Sequence, residues 1–165
     1  MFLLGAMKFF SGIDPSIVVH EIKTYHDAKP VHQKLRLVHP RKMVAIKVEG
    51  EKLLKVGFIY SFPLTEGVSN IVPITKKQGT IRVCVDYRDL NFACLKDNYP
   101  TPFIDQIIDN CAGSTIFAFM DHGFFYYNQI DILPSDQHKT IFIFPWGTFT
   151  YQKFSLGLKN VRATF

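Results

Sequence analysis

Apolar residues along this chain fall into short runs separated by polar residues, glycine and proline. In residues 41–56, Ile46, Leu53, Leu54 and Val56 recur as one stripe, which predicts a helix. Pro40 just before it and Gly57 just after it are the expected start and stop signals. Gly50, in the middle, should cost about 1 kcal/mol against Ala and weaken or break the helix. Residues 59–63 read as a short extended piece and 66–70 as a turn. Residues 71–74 and 81–85 then predict two strands, joined by a tip that holds Lys76, Lys77 and Gly79. On the second strand Ile81, Val83 and Val85 share one face, and Arg82, Cys84 and Asp86 the other.

The polar stretch 90–99 reads as a loop. Thr101 can cap a helix with Pro102 at its first position, because Phe103, Ile104, Ile107 and Ile108 follow at helical spacing. Asn110 and Gly113 end it. Residues 115–121 are almost continuously apolar and close on Asp121, which predicts a central strand buried on both faces. Further strands are predicted near 128–133, 141–144 and 148–154, with Pro145, Trp146 and Gly147 as the turn between the last two. Residues 11–40 show little periodicity and read as an extended arm over the body, with Lys34 and Arg36 as a basic edge. Strands, hairpins and separating helices together indicate an α+β fold.

Composition narrows the classes. Hydrophobic residues make up 47% and charged residues 20%, the balance of a folded chain. The formal charge of +5 fits a nucleic-acid or nucleotide partner, a trait many unrelated proteins share. Cys84, Cys94 and Cys111 are too few and too odd in number for a disulfide framework, so an intracellular, reducing setting is expected. The six histidines show no zinc-ligand spacing with cysteine, and no apolar stretch is long enough for a membrane span. Phosphate-loop, dinucleotide, kinase and nucleophile-elbow motifs are absent from the sequence.

Candidate chemistry concentrates in two places. Asp121 at a strand end could ligate a hard divalent cation or simply cap a turn. Lys76 and Lys77 could clamp phosphates or face solvent, and Arg82, fixed in a strand, suits a triphosphate. Arg88 is placed to pair with Asp86 or Asp89. Two-metal phosphoryl transfer requires several carboxylates, and one strand-end aspartate does not supply them.

The run Val72 to Asn91, with Lys76-Lys77-Gln78-Gly79 and Arg82-Val83-Cys84-Val85-Asp86-Tyr87-Arg88-Asp89-Leu90-Asn91, resembles the fingers hairpin of reverse transcriptases of gypsy-type LTR retrotransposons, plant elements among them. Asp97-Asn98-Tyr99-Pro100 resembles the link into the palm, and Phe119-Met120-Asp121 with Tyr127-Asn128-Gln129-Ile130 the first catalytic motif. Pro145-Trp146-Gly147-Thr148, Gly157-Leu158-Lys159-Asn160 and Ala163-Thr164-Phe165 continue the palm pattern. The resemblance implies an incomplete right-hand polymerase, fingers plus partial palm, with a mixed or antiparallel sheet and packed helices. It implies an arm at 1–40, a fingers-like region at 41–100 and a partial palm at 101–165. Asp121 would be the catalytic, metal-binding carboxylate, with Mg²⁺ or Mn²⁺ as the family's cofactor. Lys76, Lys77, Arg82, Tyr127 and Leu156 would bind the nucleotide. Asp86, Tyr87, Arg88, Trp146, Gly147, Gly157 and Lys159 would support the template or the structure. Partners would be a primer–template nucleic acid and dNTP, with thumb, RNase H and integrase as the remainder of a polyprotein.

The sequence departs from that pattern. The family's paired aspartates, in a Tyr-x-Asp-Asp hairpin, do not occur in these 165 residues. After Asp121 the turn is one residue longer than usual, with Tyr126 in the place of a glycine, and Gly67 stands where the family has Trp. The expectations are a reverse-transcriptase fragment inactive alone, a non-enzymatic nucleic-acid-binding remnant, or part of a longer active polyprotein.

Overall fold

The computed structural model describes residues 13–63, 65–77, 79–100, 103–116 and 129–160. The predicted strand at 115–121, with Asp121 and Tyr127, falls largely or wholly outside them.

A five-stranded mixed sheet forms the centre. Its strands are β2 (Ile59–Ser61), β3 (Ser69–Thr75), β4 (Ile81–Val85), β6 (Phe142–Phe144) and β7 (Gly147–Tyr151). They lie in the order β2-β7-β6-β3-β4. β3 and β6 run parallel, and the other neighbours antiparallel. A separate two-stranded sheet pairs β1 (Val19–His20) in parallel with β5 (Asp131–Ile132). The core joins Ile71, Val83 and Val85 to Phe142, Phe144, Phe149 and Tyr151, whose rings pack mostly edge-on or tilted.

Helix α1 (Pro40–Lys55) packs on β4. The His39 side chain accepts from Arg41 N–H at its start, and Pro40 occupies a first-turn position where its missing N–H costs nothing. Ile46, Gly50 and Leu53, spaced by four and three, form its buried face. The helix runs unbroken through Gly50, contrary to the expected weak point. A Cβ there would stand 3.1 Å from Phe144 and Trp146, so the glycine lets the helix approach the stacked Phe144–Trp146 rings closely.

Residues 90–99 do not form one loop. Helix α2 (Arg88–Ala93) opens them. Asp89 in its first turn complements the helix dipole, and a distant residue, Lys159, caps its end. The turn expected at 66–70 is shorter, because Ser69 and Asn70 join β3 by pairing with Phe142 and Ile143. Helix α3 (Ile104–Cys111) follows, with Phe103 at its N-cap and Ile104, Ile107 and Ile108 exposed; Thr101 and Pro102 lie outside the described residues. A 3-10 helix, Pro134–Thr140, leads into β6.

The arm does more than cover the body. His20 and Ile22 are buried, and Ile22 belongs to the core. The stretch is tied down by Tyr25 N–H to Ala93 O at 3.0 Å, Gln33 N–H to Val68 O at 2.9 Å and Val68 N–H to Val31 O at 3.0 Å. No helix among the described residues is long and apolar enough to cross a membrane.

Candidate functional site

The β3–β4 hairpin positions the basic candidates. Its register sets Ile74 opposite Arg82 and Thr75 opposite Ile81. Lys76 N–H donates to Thr80 O at 2.8 Å and Gly79 N–H to Lys76 O at 2.9 Å, which closes the tip. Gly79 takes φ +77°, a left-handed conformation that favours glycine. Lys76 and Lys77 are therefore carried at the end of the hairpin, and both are exposed.

Arg82 is half-buried. With Glu49 and Leu53 of α1, and with Cys84, Tyr151, Ser155 and Leu156, it lines a cleft of about 30 Å³. Arg82 and Leu156, both expected at a nucleotide pocket, thus meet at one place. The enclosed volume is that of about one water, so anything larger would lie over its rim.

A second, wider cleft of about 410 Å³ brings Asp86, Tyr87, Arg88 and Gly157 together with Arg36, Cys84 and Asn91. The buried Asp86 is its electrostatic centre. Arg88 donates side-on, Nε to Oδ1 and Nη2 to Oδ2, both at 2.7 Å. Arg36 donates Nη2 to the same Oδ2 at 2.8 Å. The hydrogen bonds from Arg88 hold the Asp86 carboxyl down at about 2, against the opposing effect of burial. Tyr87 is buried and donates its hydroxyl to Thr140 O at 3.1 Å; burial pushes its pKa up.

Gly157 and Lys159 sit at the end of α2. Asn91 Nδ2 donates to Gly157 O at 2.7 Å, and Lys159 N–H donates to Asn91 Oδ1 at 2.8 Å. The Lys159 ammonium donates to Asn91 O at 3.0 Å and Cys94 O at 2.6 Å. Trp146 lies on Phe144 with centroids 4.6 Å apart, and Gly147 begins β7. Trp146 meets α1 at Gly50, and neither residue lines either of these clefts.

Sequence reasoning missed Gln33 and Asn70. Asn70 is buried and receives Arg36 N–H on Oδ1 at 3.1 Å, while its Nδ2 donates to Lys34 O at 2.7 Å. Asn70 N–H donates to Gln33 Oε1 at 2.8 Å, and Gln33 Nε2 reaches Asp89 Oδ2 at 2.7 Å. Neither residue lies in a recognisable local pattern, since each has its partners more than thirty positions away. A pocket of about 740 Å³ between the arm, the 62–69 loop, α2 and His138–Lys139 also has no sequence signal.

The described residues do not fit a divalent metal. No group of three His, Cys, Asp or Glu among them could hold one. Asp86, Asp131 and Asp136 are paired with Arg36 and Arg88, Lys153, and Lys139 respectively. Asp121, the expected ligand, is outside the described residues.

No protein-family model matches the chain. Two relatives are the transposon Tf2-3 and Tf2-4 polyproteins of Schizosaccharomyces pombe, each 34% identical over 126 residues. Those matches cover 76% of this chain and 9% of the polyprotein, so the chain corresponds to a small part of the relatives' length. Among solved structures, the native prototype foamy virus protease-reverse transcriptase superposes with a TM-score of 0.71 at 21% identity, covering 89% of this chain and 19% of that one. The same viral enzyme in complex with an RNA/DNA hybrid gives a TM-score of 0.69 at 18% identity, covering 87% and 19%. The mixed sheet with its packed helices resembles the fingers and palm region of the reverse-transcriptase fold. The chain is a partial reverse-transcriptase-like domain, related in sequence to the Tf2 gypsy-type LTR-retrotransposon polyproteins.

Proposed function

We propose that this chain is the nucleotide- and primer–template-handling portion of an RNA-directed DNA polymerase from a retrotransposon polyprotein, and that it does not polymerise alone. In this reading residues 1–40 are the arm, 41–100 the fingers and 101–165 the first part of the palm. The observation that carries it is the sequence relation to the Tf2 polyproteins over most of the chain, together with the fold. Arg82, which lines one cleft with Leu156 and belongs to the same hairpin whose tip displays Lys76 and Lys77, supports the reading of a triphosphate-gripping surface.

The residue roles follow from that reading. Lys76, Lys77 and Arg82 neutralise the incoming triphosphate, and Tyr127 and Leu156 bound the nucleotide. Asp86, Tyr87, Arg88, Gly157 and Lys159 hold the template-facing edge, and Trp146 with Gly147 supports it through α1. Asp121 is the residue assigned to Mg²⁺ or Mn²⁺; such an ion, when bound, stabilises charge on the transferring phosphoryl group. The paired aspartates that would complete the carboxylate set are not in this sequence.

The test is primer extension with a primer–template, dNTPs and Mg²⁺. The expected outcome is no extension above that of Asp121→Asn. Extension by the chain that Asp121→Asn abolishes would refute the proposal of inactivity. A second reading, a nucleic-acid binder without chemistry, is favoured by the exposed Lys76 and Lys77. The thumb, RNase H and integrase of a longer polyprotein are the partners through which the chain would take part in synthesis.

A further inference from the structure

The cleft around Asp86 contains a residue that the hairpin pattern does not include. Arg36 comes from the arm, fifty positions before Asp86, and its guanidinium meets the same carboxylate oxygen as that of Arg88. Two cations thus share one buried anion, and the trio carries one net positive charge; Asp89, which also attracts Arg88, accepts from Gln33 Nε2 and lines the other pocket. Its members differ sharply in exposure: the Asp86 side chain is 6% accessible, that of Arg36 50% and that of Arg88 79%. The negative member is hidden and the positive members face outward.

The geometry around the trio is fixed from below. Asp86 N–H donates to Asn70 O at 2.9 Å, and Gln33 Nε2 donates to Asp86 O at 3.2 Å. Arg36 is fixed as well, since its own N–H donates to Asn70 Oδ1 at 3.1 Å. Arg88 uses Nε and Nη2 on the carboxylate, which leaves its Nη1 donors on the side away from Asp86. Of the other polar residues on this cleft, Asn91 is engaged by Gly157 and Lys159, and the Tyr87 hydroxyl by Thr140 O. The cleft is wide and open, a form suited to an extended chain passing across it rather than to an enclosed small molecule.

We propose that Arg36 is a second phosphate-contacting residue of this edge, and that Arg36 and Arg88, joined through Asp86, grip one phosphodiester of a bound polynucleotide. This rests on the polynucleotide reading given above. Arg36 has a definite electrostatic part in it. With Arg36 present, Asp86 neutralises one of two guanidinium charges and one remains for phosphate. Without Arg36, Asp86 neutralises Arg88 and none remains. The arm is then part of the binding surface.

The test is fluorescence anisotropy of a labelled primer–template duplex, titrated with the whole chain across a salt series. Each phosphate contact contributes close to one to the slope of log K against log salt. Arg36→Gln should weaken binding by about five-fold at about 50 mM salt and lower that slope by about one. Arg36→Lys, which keeps the charge, should retain the slope. Adding Asp86→Asn to Arg36→Gln restores the net charge and should restore the slope, a recovery that a merely structural Arg36 would not give. Lys29→Gln, an exposed arm residue on the other pocket, serves as the comparison, and thermal melts confirm that each variant is folded. If Arg36→Gln proves unfolded, Arg36→Lys decides: a lost slope overturns the proposal. Binding by the wild type with Arg36→Gln no weaker than Lys29→Gln overturns the Arg36 assignment alone. No salt-dependent binding by the wild type overturns the polynucleotide reading and the assignment with it.

Discussion

His20 shows how a single buried side chain sets the response of this chain to acid. It is 1% exposed and meets the edge of Phe154, with ring centroids 4.5 Å apart. Burial pushes its pKa from the ordinary 6.5 down to about 4, and nearby Asp136 offsets only part of this. Between those values the unfolded chain takes up a proton that the folded chain refuses, so stability falls as pH falls through that window. The loss should reach about 3 kcal/mol by pH 4. Urea melts at a series of pH values should show this slope, and His20→Leu, which does not titrate, should flatten it. Asp86 acts lower on the scale. Its carboxyl is depressed from 3.8 to about 2, so the stability from its arginine partners is present above 3.8 and lost as pH falls toward 2. The two groups divide acid unfolding into separate windows, and a loss confined below pH 4 would exclude the role given to His20.

Among the elements, those with a strong local pattern were legible and those stabilised from a distance were not. The stripe of α1 and the alternation of β4 lie within their own sequences, as does the glycine that turns the hairpin. Gly50 was misread because its reason is a contact with Phe144 and Trp146, about a hundred positions away. Helix α2 was missed for a similar reason. It is only six residues long with no buried side chain, too short to hold itself by propensity. Lys159 supplies the missing term by donating to Asn91 O and Cys94 O. Lys159→Met should therefore cost about 1–3 kcal/mol, since it removes a charged donor from these carbonyls. Amide exchange should show the loss concentrated in residues 88–97, and uniform protection across the chain would contradict the capping role. At the candidate site, the hairpin cations were legible because tip and strand are local. The link from Arg36 to Asp86 was not, because it depends on how the arm lies across β3.

At the scale of the whole molecule, the sheet does not follow the order of the chain. Among the described strands β2 pairs only with β7, and β3 gains its first residues from β6, so the early strands are completed by the late ones. The basic hairpin keeps its own internal pairing, while the layer beneath it depends on Phe142, Phe144, Phe149 and Tyr151. A chain of residues 1–116 would lack every one of these rings. It should show no cooperative thermal transition by near-ultraviolet circular dichroism, whereas the whole chain should; a cooperative melt of the short form would contradict this dependence. The same interleaving has a meaning in time. During synthesis the hairpin emerges well before β6 and β7, and at roughly 5–20 residues per second the interval lasts on the order of several seconds. Throughout it β3 and β4 have α1, which emerges earlier, to pack against, but not the rings of Phe142, Phe144, Phe149 and Tyr151. The nascent protein therefore carries an incompletely covered apolar layer until residue 151 has cleared the exit tunnel.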